Sequence, residues 1–516
     1  MRGPFAMLPL GLMSLVMVTG CPGPTPEPAP EPRLTTVTVT CEPTSVSIGK
    51  SAQCTASALD QDGKAFTIEG YTWASSDDAI AMVDAQGKAT ARAVGSLQVR
   101  ASATAGGNSQ QGSALLTVTP VPEKLHASPI SADETWRASD NPHVVTRTIY
   151  VSGSRKPTLT LEAGVEVRFA AGAALIVGAN EEKAGRLVAE GTASAPIRFT
   201  SRASTPRPGD WGGVLLYPAF GTSSRMAHAV IEYAGGSFEL VGGVPAPPEL
   251  FPQGGLVLFG ATDEQDSAEP TVVVDHVEVR ESRAHGVVSV SGALGPGSTG
   301  LNVHDNGQSD LWFTANQVGS IPTDTVLTAN SPRPVLVTAG MISQTQTWPK
   351  LTQPYRLISV LEGFPAHVAV EGASQPVLTL TAGTEIQMTA GSAFTAGLSE
   401  PGALVAVGTE AAPIRFVSDA STPAKGFWSG LHFSTNATGS RLDHVVVSHA
   451  GSKLYDALGG GSVNVFGELG AFMTHTLIQD SSSCGVAVGL SVTTDFTLAE
   501  YGNTFVNGDG AEMCSQ

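Results

Sequence analysis

Leu187–Gly213, LVAEGTASAPIRFTSRASTPRPGDWGG, is written twice in this chain. It returns as Leu404–Gly430, LVAVGTEAAPIRFVSDASTPAKGFWSG, with the turn residues, the Pro-Ile-Arg-Phe strand and the tryptophan in register. Moving outward, Pro157–Val167 (PTLTLEAGVEV) corresponds to Pro376–Ile386 (PVLTLTAGTEI), and Ile130–Trp136 to Ile342–Trp348. On the other side His228–Gly235 (HAVIEYAG) answers His444–Gly451 (HVVVSHAG), and Asp275–Val287 answers Thr474–Val486. The spacing between partners drifts, so insertions such as Pro245–Pro252 fall in loops while the strands keep their order.

Between these anchors the chain is a run of short segments such as Thr158–Leu161, Glu166–Phe169, Ala174–Val177 and Arg186–Ala189. They are rich in Val, Ile, Leu, Thr and Phe and are broken by Gly, Asn, Asp or Pro. No stretch holds a helical period. Apolar strands recur at roughly the 20–25 residues that one three-stranded turn of a β-solenoid needs. The LTL-x-x-G-x-x-V pair, the G-T-x-x-x-P-I-x-F segment, the Trp-x-Gly turn and the H-V-x-I-x-x-A-G strand together resemble the right-handed parallel β-helix family of surface and secreted proteins. That resemblance implies residues 121–335 as a first half and 336–516 as a second, roughly 13–16 coils in all. It also implies closed ends, with the Trp136 segment covering the first coil and a Cys484–Cys514 disulfide stapling the last.

Upstream, residues 34–120 alternate in period two, the pattern of short antiparallel strands in a sandwich. Trp73 with Ser75-Ser76-Asp77, Val83-Asp84, Gly87-Lys88 and Gly95 resemble the bacterial immunoglobulin-like domain of group 2, in which such modules are spacers or adhesive units. Cys41 and Cys54 fall on adjacent predicted strands of an exported domain, so a disulfide between them is expected. The fold class is therefore all-β: a small immunoglobulin-like sandwich followed by a long, internally duplicated parallel β-helix.

The N-terminus sets the address. Arg2 precedes the apolar run Met7–Val18, too short to span a bilayer, and Val18-Thr19-Gly20-Cys21 resembles a bacterial lipobox. The resemblance implies a signal peptide over residues 1–20 and diacylglycerol on Cys21, with the outer membrane or cell surface as the destination. Residues 21–33 then form a proline-rich stalk. The membrane is thus an expected partner through the lipid.

Composition narrows the partners. Of 516 residues only 14% are charged, Gly and Pro number 58 and 34, and the net charge is −18. A diffuse acidic surface argues against nucleic acid as a partner. Polysaccharide-cleaving β-helices use carboxylate clusters, often with calcium, and an Arg or Lys base. Two acidic patches were weighed against that chemistry: Asp263, Glu264, Asp266 and Glu269 in one loop, and His304, Asp305 and Asp310 further on. Neither has the spacing of those sites, and both read as solvated loops. His228, His276, His444 and His475 each open a predicted strand and read as a stacked structural ladder rather than a metal set. Trp211 and Trp428 are the candidate glycan-stacking residues, although a duplicated Trp-x-Gly reads more readily as a packing corner. No catalytic residue, metal or cofactor is predicted. The expected function is non-enzymatic adhesion or polysaccharide binding; the alternatives are a polysaccharide lyase or hydrolase, or an envelope spacer.

Overall fold

A computed structural model describes residues 30–515, apart from 219–220, 222, 241–242, 249, 261–270, 329–332, 360–363 and 455–459 and the side chain of residue 181. The signal peptide, Cys21, most of the stalk and the acidic loop at 263–269 lie outside the described residues. The chain divides into two compact units at Val121/Pro122.

The first unit is a sandwich of two four-stranded sheets. Thr36–Glu42 alternates buried and exposed residues along its length, sending Val37, Val39 and Cys41 into the core. Cys41 pairs directly with Cys54 on the neighbouring antiparallel strand, and their sulfurs are bonded. Trp73 is half-buried against the same core. One strand pair, Ser45–Ser47 with Asn108–Thr119, is parallel, where the alternation had implied antiparallel strands throughout.

The second unit is a parallel β-helix. Thr158–Leu161, Glu166–Phe169 and Leu175–Val177 form one coil, and each stacks in parallel register on a strand of the next: Leu159 on Leu187, Val167 on Phe199, Leu175 on Val214. Within a strand such as EVRF the inward Val and Phe are buried while Glu and Arg are half-exposed. Coils are less regular than the predicted interval: Val335 stacks on Tyr355, whereas Leu175 waits until Val214. One apolar core, from Ile130 to Phe496, runs through both halves of the duplication.

The repeated stretch is explained by what the next coil brings against it. A Cβ on Gly191 or Gly408 would lie 2.6 Å from the carbonyl oxygen of His228 or His444 respectively. Thr192 and Thr409 close the following turn, their Oγ1 accepting from the Ala195 and Ala412 amides. Gly213 and Gly430 combine a positive φ with a next-coil carbonyl 2.3 and 2.6 Å from any Cβ. Only glycine lets the backbones approach so closely.

The first coil is covered and the last is stapled. Trp136 is buried and stacks on His126 and His143, ring centroids 3.9 and 5.2 Å away, beside the first strand Lys124–His126. At the other end Cys484 is bonded to Cys514 on the last strand, Met513–Ser515.

The halves do not share a phase. A thirteen-stranded sheet runs from Ile149–Val151 to Thr504–Val506. In the first half its members are third strands of the coil, such as Leu175–Val177. In the second half they are the counterparts of second strands: Glu385–Met388, the repeat of Glu166–Phe169, lies in this sheet. The second copy is therefore turned by one face about the solenoid, the change falling between Val335–Thr338 and Tyr355–Ile358.

Candidate functional site

The outward face of the second strands in the first half carries a ladder of charges. Parallel register stacks Glu166 on Arg198, Val230 on Glu278 and Glu278 on Asn302. The neighbouring column stacks Arg168 on Thr200, then Glu232 on Arg280 and Arg280 on His304. At its centre the Glu232 side chain is 1% exposed. Its Oε1 accepts from Arg198 at 2.7 Å and Thr200 at 2.9 Å, and its Oε2 from two nitrogens of Arg280 at 2.7 and 3.1 Å. Arg280 also donates to Glu278 at 2.8 Å, Glu278 lies 3.2 Å from His304 Nε2, and Arg168 donates to Glu166 at 2.7 Å. The outward alternation of Glu and Arg in EVRF, IRFT, AVIE and VEVR was present in the sequence. Its signal is period-two charge on consecutive coils, which differs from the convergent carboxylates of a cleaving site.

A hollow of about 350 Å³ lies on the outer side of the long sheet, lined by His285, Gln308, Ser309, Arg333, Pro334, Leu336 and Arg356. Trp312 packs beside His285 at 4.9 Å and is half-buried, its Nε1 donating to Thr338 Oγ1. Among the described residues His285 Nδ1 and Arg356 Nε are buried without a hydrogen-bond partner. Burial holds the His285 imidazole at about 4; a bond to the Ser309 backbone opposes this and the Arg333 charge reinforces it. The hollow thus gathers a neutral imidazole, two guanidinium groups and an indole, of which Arg356 pairs with Asp419 at 2.6 Å and Arg333 donates to the Gly307 and Gln308 carbonyls.

The predicted site residues fall elsewhere. Trp211 and Trp428 are not stacking platforms: both are 0% exposed. Trp211 lies face to face with Phe169 at 3.9 Å, and each indole donates to a backbone carbonyl of the next coil, Glu232 and Ser448. They are packing corners, because the Trp-x-Gly turn points the indole inward while the glycine admits the neighbouring backbone. His304, Asp305 and Asp310 do not form one cluster. His304 spans Asp305 and Glu278, while Asp310 turns to Asn306, and burial pushes its carboxyl above the usual range against the Asn306 bonds.

The four histidines stack in pairs, His228 on His276 and His444 on His475, with centroids 5.0 and 4.7 Å apart. They do not open strands. All four have positive φ, from +43° to +52°, and occupy corners where the chain passes between faces. Asp443, His444 and His475 bring three ligand-type atoms within 4.8 Å of one another.

Residues 129–238 match the family model of a pectate-lyase-like β-helix domain, and residues 33–114 match that of the bacterial Ig-like domain, group 2. No curated relative matches the chain. Among the described residues no helix is long and apolar enough to cross a membrane. The chain thus carries a bacterial Ig-like domain of group 2 followed by a pectate-lyase-like β-helix domain, a pairing that fits a surface or carbohydrate-related protein.

Proposed function

We propose that this is a lipid-anchored surface protein whose β-helix binds polysaccharide without cleaving it. The observation that carries the reading is the pairing of the outward ladder: Glu232 is saturated by two arginines and a threonine. A general base needs an unpaired acceptor, such as a free carboxylate, within reach of a substrate proton. A continuous row of paired donors and acceptors instead supports many weak contacts to a chain laid across it. The hollow beside Trp312 supplies a place for one sugar ring, with the indole and Arg356 at its rim. The lipobox and the proline stalk support attachment at a distance from the lipid.

The match to a pectate-lyase-like domain favours a second reading, a polysaccharide lyase. Affinity electrophoresis against neutral and acidic polysaccharides, with calcium and with EDTA, separates the two. The expected result is retardation by one glycan with no shortening of the polymer, reduced about tenfold in affinity by Trp312→Ala. Polymer breakdown sinks the binding reading, and absence of retardation throughout turns attention to a protein ligand.

A further inference from the structure

The two stacked histidine pairs differ in where their carboxylate stands. In the first half Asp275 bonds to the adjacent His276, and the residue before His228 is Ala227. In the second half Thr474 replaces Asp275, and the carboxylate has moved one coil back to Asp443, which pairs in register with Thr474. There Asp443 Oδ1 lies 2.9 Å from His444 Nδ1 and 2.9 Å from His475 Nδ1. Arg441 holds the other oxygen, Oδ2, at 2.9 Å and so fixes the carboxylate plane. The Asp443 side chain is 14% exposed and His475 55%, so one side of the trio faces solvent.

Stacking alone does not require this convergence. The first half makes the same corner, with the same ring spacing and positive φ, without a carboxylate shared between the two rings. What the second half adds is a carboxylate oxygen shared by two ring nitrogens, three ligand-type atoms within 4.8 Å of one another.

We infer that Asp443, His444 and His475 form a three-ligand site for a divalent transition ion of the zinc, nickel or copper type. Two imidazole nitrogens and one carboxylate oxygen suit such ions, with a further position left to water or an outside ligand. Calcium, which takes six to eight oxygens, does not match the donors. Tetrahedral coordination separates ligand atoms by about 3.3 Å, so the donors open by a few tenths of an ångström. Each imidazole then carries its proton on Nε2 and turns the Nδ1 lone pair to the ion. Arg441 sits on the far oxygen, where it orients the carboxylate and weakens the ion's attraction only modestly. The site stands apart from the glycan reading and does not depend on it.

The test is zinc titration of the tag-free, EDTA-treated full chain in competition with a chromophoric chelator. The expected result is one zinc per chain, with affinity lowered more than about tenfold by His475→Ala and by Asp443→Asn and unchanged by His276→Ala. Thermal melts of each variant without metal show whether it is folded, and zinc should raise the wild-type melting temperature but not that of His475→Ala. The inference is overturned by an absence of saturable binding, by undiminished binding in a folded His475→Ala variant, or by equal loss in His276→Ala.

Discussion

The two copies of the repeat share a scaffold and differ in what they show to solvent. Position for position, Glu166, Arg198, Val230 and Glu278 of the first copy become Glu385, Arg415, Val446 and Leu477 of the second. In the second column Arg168, Thr200, Glu232 and Arg280 become Gln387, Val417, Ser448 and Gln479. The second copy instead pairs Glu385 with Arg415, at 3.3 Å, where the first pairs Glu166 with Arg168 and Arg198 with Glu232. Inward residues change within a narrower range: Val167 to Ile386, Phe169 to Met388, Phe199 to Phe416, Trp211 to Trp428. Core volume constrains the one set, and only solvent and ligands constrain the other.

The largest expected effect tests the shared part. Trp211→Ala and Trp428→Ala each remove a fully buried indole, at a cost of about 3–5 kcal/mol. Trp211 should cost about 1 kcal/mol more, because it stacks on Phe169 where the second copy has Met388. Urea unfolding of the β-helix should show one transition shifting in both variants, as a continuous core requires; two separate transitions would make the halves independent.

Next comes the part that differs. Glu232→Ala leaves Arg198 and Arg280 without their shared carboxylate and should cost about 2–3 kcal/mol. Its counterpart, Ser448→Ala, should stay within about 0.5 kcal/mol by the same measurement. Equal effects would mean that the ladder adds nothing to the scaffold.

The smallest effect is read through pH. His432 stands at the position of Leu215, stacks near Phe466 and is held by burial, reinforced by the neighbouring His367, at about 3. Its folded value lies below the ordinary 6.5, so the unfolded chain binds the proton first. Stability contributed by the neutral ring is complete above about pH 6.5 and is lost as pH falls toward 3. At pH 5 this amounts to about 2 kcal/mol. His432→Phe should flatten the fall in melting temperature between pH 7 and 5, and an unchanged slope would assign the acid sensitivity to other groups.

Much of this was legible in the sequence because stacking makes each coil repeat its inward pattern. Thr158–Leu161 and Glu166–Phe169 emerge with the bounds their alternation gives. Cys41 and Cys54 stand opposite each other on adjacent strands, as the alternation of their segments implies. Whether a tryptophan faces in or out was not legible, because one residue in a turn carries no period. The histidine corners were misread as strand starts because sequence does not display φ. The carboxylate that joins His444 to His475 belongs to a different coil from His475, so nothing adjacent to His475 announces it. The change of face between the copies depends on the number of residues spent in loops, which the strand pattern does not count.

That change of face limits what duplication did for this molecule. Copying a segment that is not a whole number of turns keeps the apolar core continuous but rotates the copy's outer surface to another compass bearing. A long polymer lying straight along the axis meets the original ladder first and a different kind of strand afterwards. The second copy was therefore never in a position to lengthen the first one's track. In place of the charged columns it carries Gln387, Val417, Ser448 and Gln479, and at a corner beside them Asp443 stands between two histidines.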